Sequence, residues 1–364
     1  MDNAPDLIDL LARAVSAGAS DLHICADAPP MVRVNGSLRP LTTEPVTGEF
    51  SREMILGILT EKQRARLEED WELDFALQID EVGRFRGNAH FSRGVLEAAF
   101  RFIPHKIPEL GDLGHRDTIF GLCGLQRGLV LVTGVTGSGK STTMASMVQN
   151  ISRSLTGVIV TIEDPIEYVF ESSRSVVKQR EVGSDTKSFA EALRHALRQD
   201  PNVIFVGEMR DPETIGAALT AAETGHLVLA TLHTIDAPKA IDRMVDAFPG
   251  DQQPQIIAQL SNALEAVVSQ RLIPKEDGTG RVLATEILIA NSGVRACIRE
   301  KRWEQAVSMI EIGAKDGMHS IDEDLTGLYL SRQISKEEAI ANARDRDAFE
   351  KLTRDVPAKK SFFG

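Results

Sequence analysis

A glycine-rich segment that ends in a lysine and two hydroxyl residues has the spacing of a phosphate-binding loop. Gly134 to Ser141 fits the pattern GxxxxGK[ST], with an apolar strand-like run before it and a helix-like run after it. Glycines let successive backbone N–H groups surround a phosphate without Cβ clashes, and the helix N-terminus adds positive charge. The segment predicts a nucleoside triphosphate site formed by Gly134, Thr136, Gly137, Ser138, Gly139, Lys140, Ser141 and Thr142.

Within this loop, two side chains would meet the ligand directly. Lys140 would reach the β- and γ-phosphates, and the Ser141 hydroxyl would ligate Mg²⁺. A chance glycine-rich turn between a strand and a helix is the alternative interpretation.

Acidic residues follow two later apolar runs. Glu163 ends the run that starts at Val158, and Pro165 forces the chain to turn there. Ligands gather at the carboxyl ends of strands in open α/β sheets, so Glu163 is the candidate to orient and deprotonate an attacking water. A solvated acidic turn is the simpler alternative for this cluster.

The second acid, Glu208, follows the run Val203–Val206 at the Walker-B position, where an acid normally holds the metal through water. Gly207 stands where the first acid of the usual pair is expected. The Mg²⁺ ligands would then be Ser141, Glu208 and waters.

Two histidines, His226 and His233, flank the apolar run Leu227–Leu232. A histidine at a strand end is usually structural. His233, however, follows a third strand at the predicted edge that carries the acids and the loop, which favours a γ-phosphate sensor. Zinc is disfavoured because the two histidines are seven positions apart across a strand and no third ligand lies nearby.

Arginines are the remaining candidates for contact with phosphate. Arg194 and Arg198 are spaced i,i+4 in a predicted helix. This spacing fits a solvated or salt-bridged pair as well as it fits a catalytic pair. Four arginines on a predicted hairpin are either surface residues or a source of charge for a neighbouring γ-phosphate: Arg84, Arg86, Arg93 and Arg101.

Composition narrows the class of protein. The 364 residues carry a net charge of −12, which argues against a partner that is a nucleic-acid duplex. The three cysteines, Cys25, Cys123 and Cys297, are far apart and predict neither a local zinc site nor a disulfide framework. The N-terminus is unlike a signal peptide and no run has membrane-span length, so a cytoplasmic chain is expected.

Residue patterns predict a small α+β domain over 1–103, with helices over Leu7–Ala17 and Ser51–Glu68 and a hairpin over Gly83–Ile103. A shorter hairpin would turn at Asn35-Gly36. Two prolines predict a linker or hinge over 104–112. Residues 113–291 alternate strands with helices, which is typical of a parallel sheet covered on both faces. The predicted strands are Leu129–Thr133, Val158–Ile162, Val203–Val206, Leu227–Leu232 and Val282–Ile289. A helical region over 292–352 and a tail over 353–364 complete the chain.

Four motifs in this order closely resemble the type II/IV secretion ATPase superfamily. They are Gly134–Thr142, Thr161–Glu167, Val206–Asp211, and Thr224–His226 with Thr231–Thr234. The segments Gly18–His23, Gly83–Arg86, Gly293–Glu300 and Gly317–Asp322 resemble the pilus-retraction branch. In all, roughly residues 5–345 are covered. Three positions depart from the usual family residue: Val135 stands for a proline, Cys297 for a leucine and Lys301 for a glycine.

The resemblance implies an α/β fold with a RecA-like P-loop core, a PAS-like small domain before it and a helical region after it. It implies an ATP- and Mg²⁺-dependent homohexamer at the cytoplasmic face of the inner membrane, bound to a pilus platform protein and sharing work with a paralogous ATPase. Glu163 would be the general base and Glu208 would assist Mg²⁺. His226 and His233 would sense phosphate, and small-domain arginines would bridge to the nucleotide.

Two features favour retraction over assembly or secretion: the expected absence of an extra domain before residue 1, and the missing paired CxxC element. A weakly hydrolysing regulatory paralogue, an assembly or secretion ATPase and a nucleic-acid translocase remain the alternatives.

Overall fold

The computed structural model describes residues 6–34, 36–103 and 106–353, and these form two units. The first unit contains the chain up to Lys106 together with Glu167–Val169, and the second contains Ile107–Ile166 and the chain from Phe170 onward. Residue Asn35 of the predicted turn, residues 104 and 105 of the predicted linker and residues 354–364 of the predicted tail lie outside the described residues.

The first unit is an antiparallel sheet of six strands with three helices, and the predicted α+β arrangement is confirmed. Alternation along the strands buries residues such as Phe85, Ala89 and Phe100 against helix residues such as Leu10 and Ile55. The strand order is β3-β2-β1-β6-β5-β4. The elements are α1 Leu7–Ser16, β1 Asp21–Ile24, β2 Met31–Val34, β3 Ser37–Pro40, α2 Gly48–Ile58, α3 Glu61–Asp70, β4 Glu72–Ile79, β5 Gly83–Ser92 and β6 Val95–Ile103.

The second unit is built on a sheet of seven strands, which are β7 Gly128–Thr133, β8 Val158–Glu163, β9 Val176–Glu181, β10 Val203–Val206, β11 Leu227–Leu232, β12 Leu264–Pro274 and β13 Arg281–Ile289. Their order is β13-β12-β7-β11-β10-β8-β9, and all pairs are parallel except β12 with β13. The predicted, mostly parallel sheet is confirmed. Strands β9 and β12 were not predicted.

Helices cover both faces of this sheet, which explains why β7 and β11 are buried along their whole length. The helices are α4 Thr118–Cys123, α5 Lys140–Ser154, α6 Phe189–Ala196, α7 Pro212–Glu223, α8 Ala237–Asp246, α9 Gln253–Ala263, α10 Ser292–Arg299, α11 Ala306–Ile312, α12 Ile321–Leu330, α13 Lys336–Asn342 and α14 Arg346–Thr353. No helix within the described residues is long and apolar enough to cross a membrane.

The second half of the predicted linker is not a linker. Leu110 is buried in the same core cluster as Met144 of α5, and a 3-10 turn spans Leu110–Leu113. Ser146 donates a hydrogen bond to the Pro108 carbonyl at 2.7 Å, and Arg153 pairs with Glu109 at 2.6 Å. Residues 107–113 are therefore fixed to the second unit, because apolar burial outweighs the turn preference of the prolines.

The C-terminal helices attach to the sheet through its edge strand β13. Thr285 donates its backbone N–H to Asp324 of α12 at 2.8 Å, and its hydroxyl lies 2.8 Å from His319. The next residue, Glu286, points to the other face, where it pairs with Arg344 at 2.7 Å and accepts the N–H of Ala237 at the start of α8. Adjacent residues of one strand thus tie the C-terminal region to both faces of the sheet.

Candidate nucleotide-binding site

The loop between β7 and α5 has a backbone that only glycine accommodates at two points. Gly134 has φ 148°, and a Cβ there would lie 2.4 Å from Ser138 Oγ and 2.5 Å from the Gln270 carbonyl. Gly139 is left-handed, with φ 90°, immediately before the first residue of α5. The predicted strand, loop and helix are therefore present with the backbone that the glycines imply.

Side chains from β12 and β13 hold the outer carbonyls of this loop. Gln270 donates its amide N–H to the Ser138 carbonyl at 2.8 Å, and Arg281 donates to the Gly137 carbonyl at 3.3 Å. In a trans peptide the C=O and the following N–H point in opposite directions. Fixing these two carbonyls therefore fixes the N–H groups of Ser138 and Gly139 on the opposite side. Neither brace was predicted from the sequence.

The lysine of the loop meets one of the predicted histidines. Lys140 is buried, and its Nζ lies 2.8 Å from the Gly134 carbonyl, 3.1 Å from the Val135 carbonyl and 3.5 Å from Nδ1 of His233. His233 Nε2 lies 3.2 Å from Oε1 of Glu208. The structure thus brings together the loop, the residue after β11 and the acid after β10.

Glu208 is also held by an arginine that sequence reasoning did not single out. Arg210 donates to both carboxylate oxygens, at 2.5 and 2.6 Å. Burial acts to raise the pKa of Glu208, but the hydrogen bonds and charges of Arg210 and His233 outweigh it, so the pKa lies below its usual value. Glu208 is therefore anionic at neutral pH.

Steric crowding explains why glycine, and not an acid, stands at position 207. A Cβ at this position would lie 3.2 Å from the Ile162 carbonyl and 3.3 Å from the Cα of Glu163. Its N–H donates to that same Ile162 carbonyl at 2.7 Å. Strands β8 and β10 approach so closely here that an aspartate would displace Glu163.

Glu163 ends β8 at the same edge and is 5% exposed. Its Oε1 accepts hydrogen bonds from the Thr161 hydroxyl at 2.6 Å and the Gln179 amide at 3.1 Å. The strand order places β8 beyond β10 and β11, so the three predicted residues after β8, β10 and β11 line one edge together with the loop.

His226 does not join this group. It precedes β11, whose first residue pairs with Gly128 and whose last pairs with Thr133. Its Nδ1 contacts the Ala221 carbonyl at 3.0 Å. A strand of this length separates the two histidines by roughly 20 Å. Within one chain the two histidines therefore lie at opposite ends of β11, with only His233 at the end near the loop, and a phosphate-sensing role for His226 stays a prediction.

Arg198 also lies at the edge of the sheet opposite the phosphate loop. Helix α6 ends at Ala196, so Arg194 and Arg198 are not the paired residues of one helix that the spacing predicted. Arg198 is exposed and precedes β10, whose amino end lies opposite the loop. Its proposed catalytic role receives no support from this position.

The hairpin arginines separate into two sets within the first unit. Arg86 lies directly opposite Arg101 in the pairing of β5 with β6, and Arg84 shares the face of Arg86. Arg101 is paired with Asp21 at 2.9 Å. Arg93 sits at the hairpin tip with φ 50°, about 20 Å further along the strand, so the predicted cluster of four contains three.

The residues of the second unit suit a magnesium nucleotide. The glycine cradle, the positive end of α5 and the buried Lys140 favour phosphate oxygens. Ser138 Oγ is buried beside this cradle and has no partner within the described residues. The hydroxyl of Ser141 in the first turn of α5 and the anionic carboxylate of Glu208 are oxygen groups of the kind that Mg²⁺ prefers.

A mostly parallel sheet with a glycine cradle, a lysine, an acid and a histidine at one edge defines the class of RecA-like ATPases. Comparison with known families matches residues 5–349 to the family described as Type II/IV secretion system protein. The chain belongs to this family.

Individual relatives support the same placement. The chain is 46% identical over 344 residues to the type IV pilus retraction ATPase PilT of Pseudomonas aeruginosa, covering 94% of this chain and all of that protein. It is 40% identical to the type IV pilus ATPase PilU of the same organism, covering 92% and 87% of the two chains. The crystal structure of the pilus retraction motor PilT with bound ADP matches with a TM-score of 0.89 and 46% identity, covering 95% and 99%.

Proposed function

We propose that this chain is a motor subunit that hydrolyses ATP to ADP and phosphate to drive type IV pilus retraction and twitching motility. The observation that carries the proposal is the line of contacts from Lys140 through His233 to Glu208, at the edge where β8 ends in Glu163. The match over nearly the full length of a retraction ATPase supports the pilus role.

In the proposed reaction, the loop N–H groups and Lys140 bind the β- and γ-phosphates and neutralise the charge that develops there. The oxygen of a water attacks the γ-phosphorus, the bond to the bridging oxygen of ADP breaks, and Glu163 accepts the proton of the water. Mg²⁺, held by Ser141 and Glu208, would supply additional positive charge to the phosphates. His233 detects the γ-phosphate because it contacts both Lys140 and Glu208.

The proposed assembly is a homohexamer at the cytoplasmic face of the inner membrane, bound to a platform protein of the pilus and working beside a paralogous ATPase. Arg84, Arg86 and Arg101 would bring positive charge to the nucleotide of a neighbouring subunit. Rotation of one unit against the other, about the chain near Lys106, would convert phosphate release into movement.

Phosphate release by the purified chain tests the enzymatic part. Glu163→Gln should bind ATP as the unchanged protein does and lose steady release by at least a hundredfold, because the amide cannot take a proton from water. Normal turnover in this variant would remove Glu163 from the mechanism. Very slow turnover by the unchanged protein would favour a regulatory paralogue, and stimulation by DNA or RNA would favour a translocase.

Fibre counts on cells that lack the gene test the direction of force. A retraction motor predicts excess surface fibres with loss of surface movement, whereas an assembly ATPase predicts cells without fibres. Restoring the gene with Glu163→Gln should leave the deletion phenotype in place.

A further inference from the structure

We propose that Gln179 is a positioning residue for Glu163, holding its carboxylate in the orientation that activates water. This inference rests on the proposed function of Glu163 as the general base. Gln179 lies on β9, the edge strand beside β8, and its side chain is half-buried. Its amide nitrogen donates a hydrogen bond to Oε1 of Glu163 at 3.1 Å.

The two ends of the Gln179 amide are assigned by their partners. Its Oε1 lies 2.8 Å from the backbone nitrogen of Phe170. A backbone N–H only donates, so the amide oxygen must face Phe170 and the NH₂ group must face Glu163. A reversed amide would lose both hydrogen bonds at once.

Gln179 does not act alone on this carboxylate. The hydroxyl of Thr161, which is fully buried, donates to the same oxygen at 2.6 Å. Two donors that meet one oxygen from different strands fix the plane of the carboxylate, and thereby the direction in which Oε2 points. A general base must be aimed at its proton before the reaction, because misplacement by about 1 Å costs on the order of a hundredfold in rate.

The same strand also holds the segment that follows Glu163. Glu181 pairs with Glu163 in the β8–β9 register, and its Oε2 accepts the N–H of Ile166 at 3.1 Å. Gln179 and Glu181 are on one face of β9 and hold the segment at Phe170 and at Ile166. The position of Gln179 therefore links the direction of the base to the anchoring of the chain after it.

Two substitutions separate these roles. Gln179→Met removes both hydrogen bonds, whereas Gln179→Glu keeps an acceptor for Phe170 and loses the donor to Glu163. For each variant, kcat would be measured from phosphate release and the Kd for ADP from a fluorescent analogue. Thermal unfolding and hydrogen exchange of the Phe170 amide would report on the fold and on the anchored segment. Lys178→Met, an exposed change on the opposite face of β9, is the matched control.

We expect both variants to lower kcat by about tenfold to a hundredfold while the Kd for ADP changes less than twofold and Lys178→Met behaves as the unchanged protein. Slow exchange at Phe170 should persist in Gln179→Glu only. A loss of kcat in Gln179→Met alone would mean that segment anchoring matters, and a loss in Gln179→Glu alone would mean charge repulsion. Either result, or normal turnover in both, overturns the proposal. If Glu163→Gln itself turns over normally, the proposed function fails instead.

Discussion

His233 donates to Glu208 through Nε2, across 3.2 Å, while its Nδ1 faces the ammonium of Lys140 at 3.5 Å. The ring of His233 thus connects Lys140, the residue proposed to bind phosphate, to Glu208, the residue proposed to hold Mg²⁺.

His233→Ala should lower kcat for ATP hydrolysis about tenfold to a hundredfold. In this variant Glu208 keeps, among the described residues, only Arg210 as a side-chain partner, and Lys140 loses its contact with the histidine ring. His226→Ala is the matched change at the other end of the same strand and should retain most of the turnover. Steady-state phosphate release measures both. Equal losses in the two variants would show that distance from the loop does not decide the role.

Gly207→Ala should destabilise the second unit by about 1–3 kcal/mol, because its Cβ meets the Ile162 carbonyl and the Cα of Glu163. Displacing Glu163 by a few tenths of an ångström should also lower kcat. Gly216→Ala in α7 is the control, since its nearest contact would be Phe248 at 3.9 Å. That change should stabilise by about 0.5–1 kcal/mol through helix propensity. Denaturant unfolding of both variants gives the comparison.

The phosphate loop was predictable because all its determinants are contiguous: an apolar strand, fixed glycine spacing and a helix start. The residues that support it were not, because Gln270 and Arg281 come from strands more than a hundred residues later. In the sequence they are ordinary polar residues of strands. Gln179 was missed because its contact with Glu163 depends on the pairing of β9 with β8. Arg210 is only two residues from Glu208, but their spacing does not indicate that the two side chains bind each other.

Strand direction would have separated the two histidines in advance. Once β11 was taken as parallel to β7, only His233 and not His226 was able to reach the loop edge. The burial of Leu110 was harder to predict from the sequence. Two prolines nearby favour an exposed segment, and the sequence does not show which apolar residues pack in the core. Contacts between residues distant in sequence thus determined the features that local sequence patterns did not predict.

Stability of the second unit should fall as the pH drops from about 7 toward 4, in part through His115. Its Nε2 lies 3.0 Å from the hydroxyl of Thr143 on α5. Burial lowers the pKa of His115 to about 4, with Asp324 opposing and His319 adding to the shift. The unfolded chain takes up this proton first, near pH 6.5, so the stabilisation is present above that pH and is lost as the pH falls to the folded pKa.

The loss from His115 should amount to ~2 kcal/mol between pH 7.5 and pH 5. His115→Gln keeps a polar partner for Thr143 and cannot titrate, so the difference in unfolding free energy between these pH values should shrink by that amount. Burial also lowers the pKa of His319, and because His319 interacts with His115 the comparison measures the loss of His115 together with its effect on His319. An unchanged pH dependence in the variant would contradict the assignment.

Lys301→Gly should raise the unfolding free energy by about 0.5–1 kcal/mol. Lys301 is exposed and adopts φ 56°, a left-handed backbone that costs an L-residue roughly 1–2 kcal/mol and glycine very little. This backbone conformation also explains why glycine is common at this position in the type II/IV secretion ATPase family. Lys301→Val should lower the unfolding free energy, because a β-branched residue fits this conformation worst. If the two variants change stability in the same direction, backbone conformation is not the cause.

Thr285 and Glu286 are neighbours in the outermost strand, yet they bind Asp324 on one side of the sheet and Arg344 on the other. Tension applied to residues 292–352 would consequently be divided between two anchor points on opposite surfaces. Detaching the C-terminal helices from the edge of the sheet would therefore require both anchors to break.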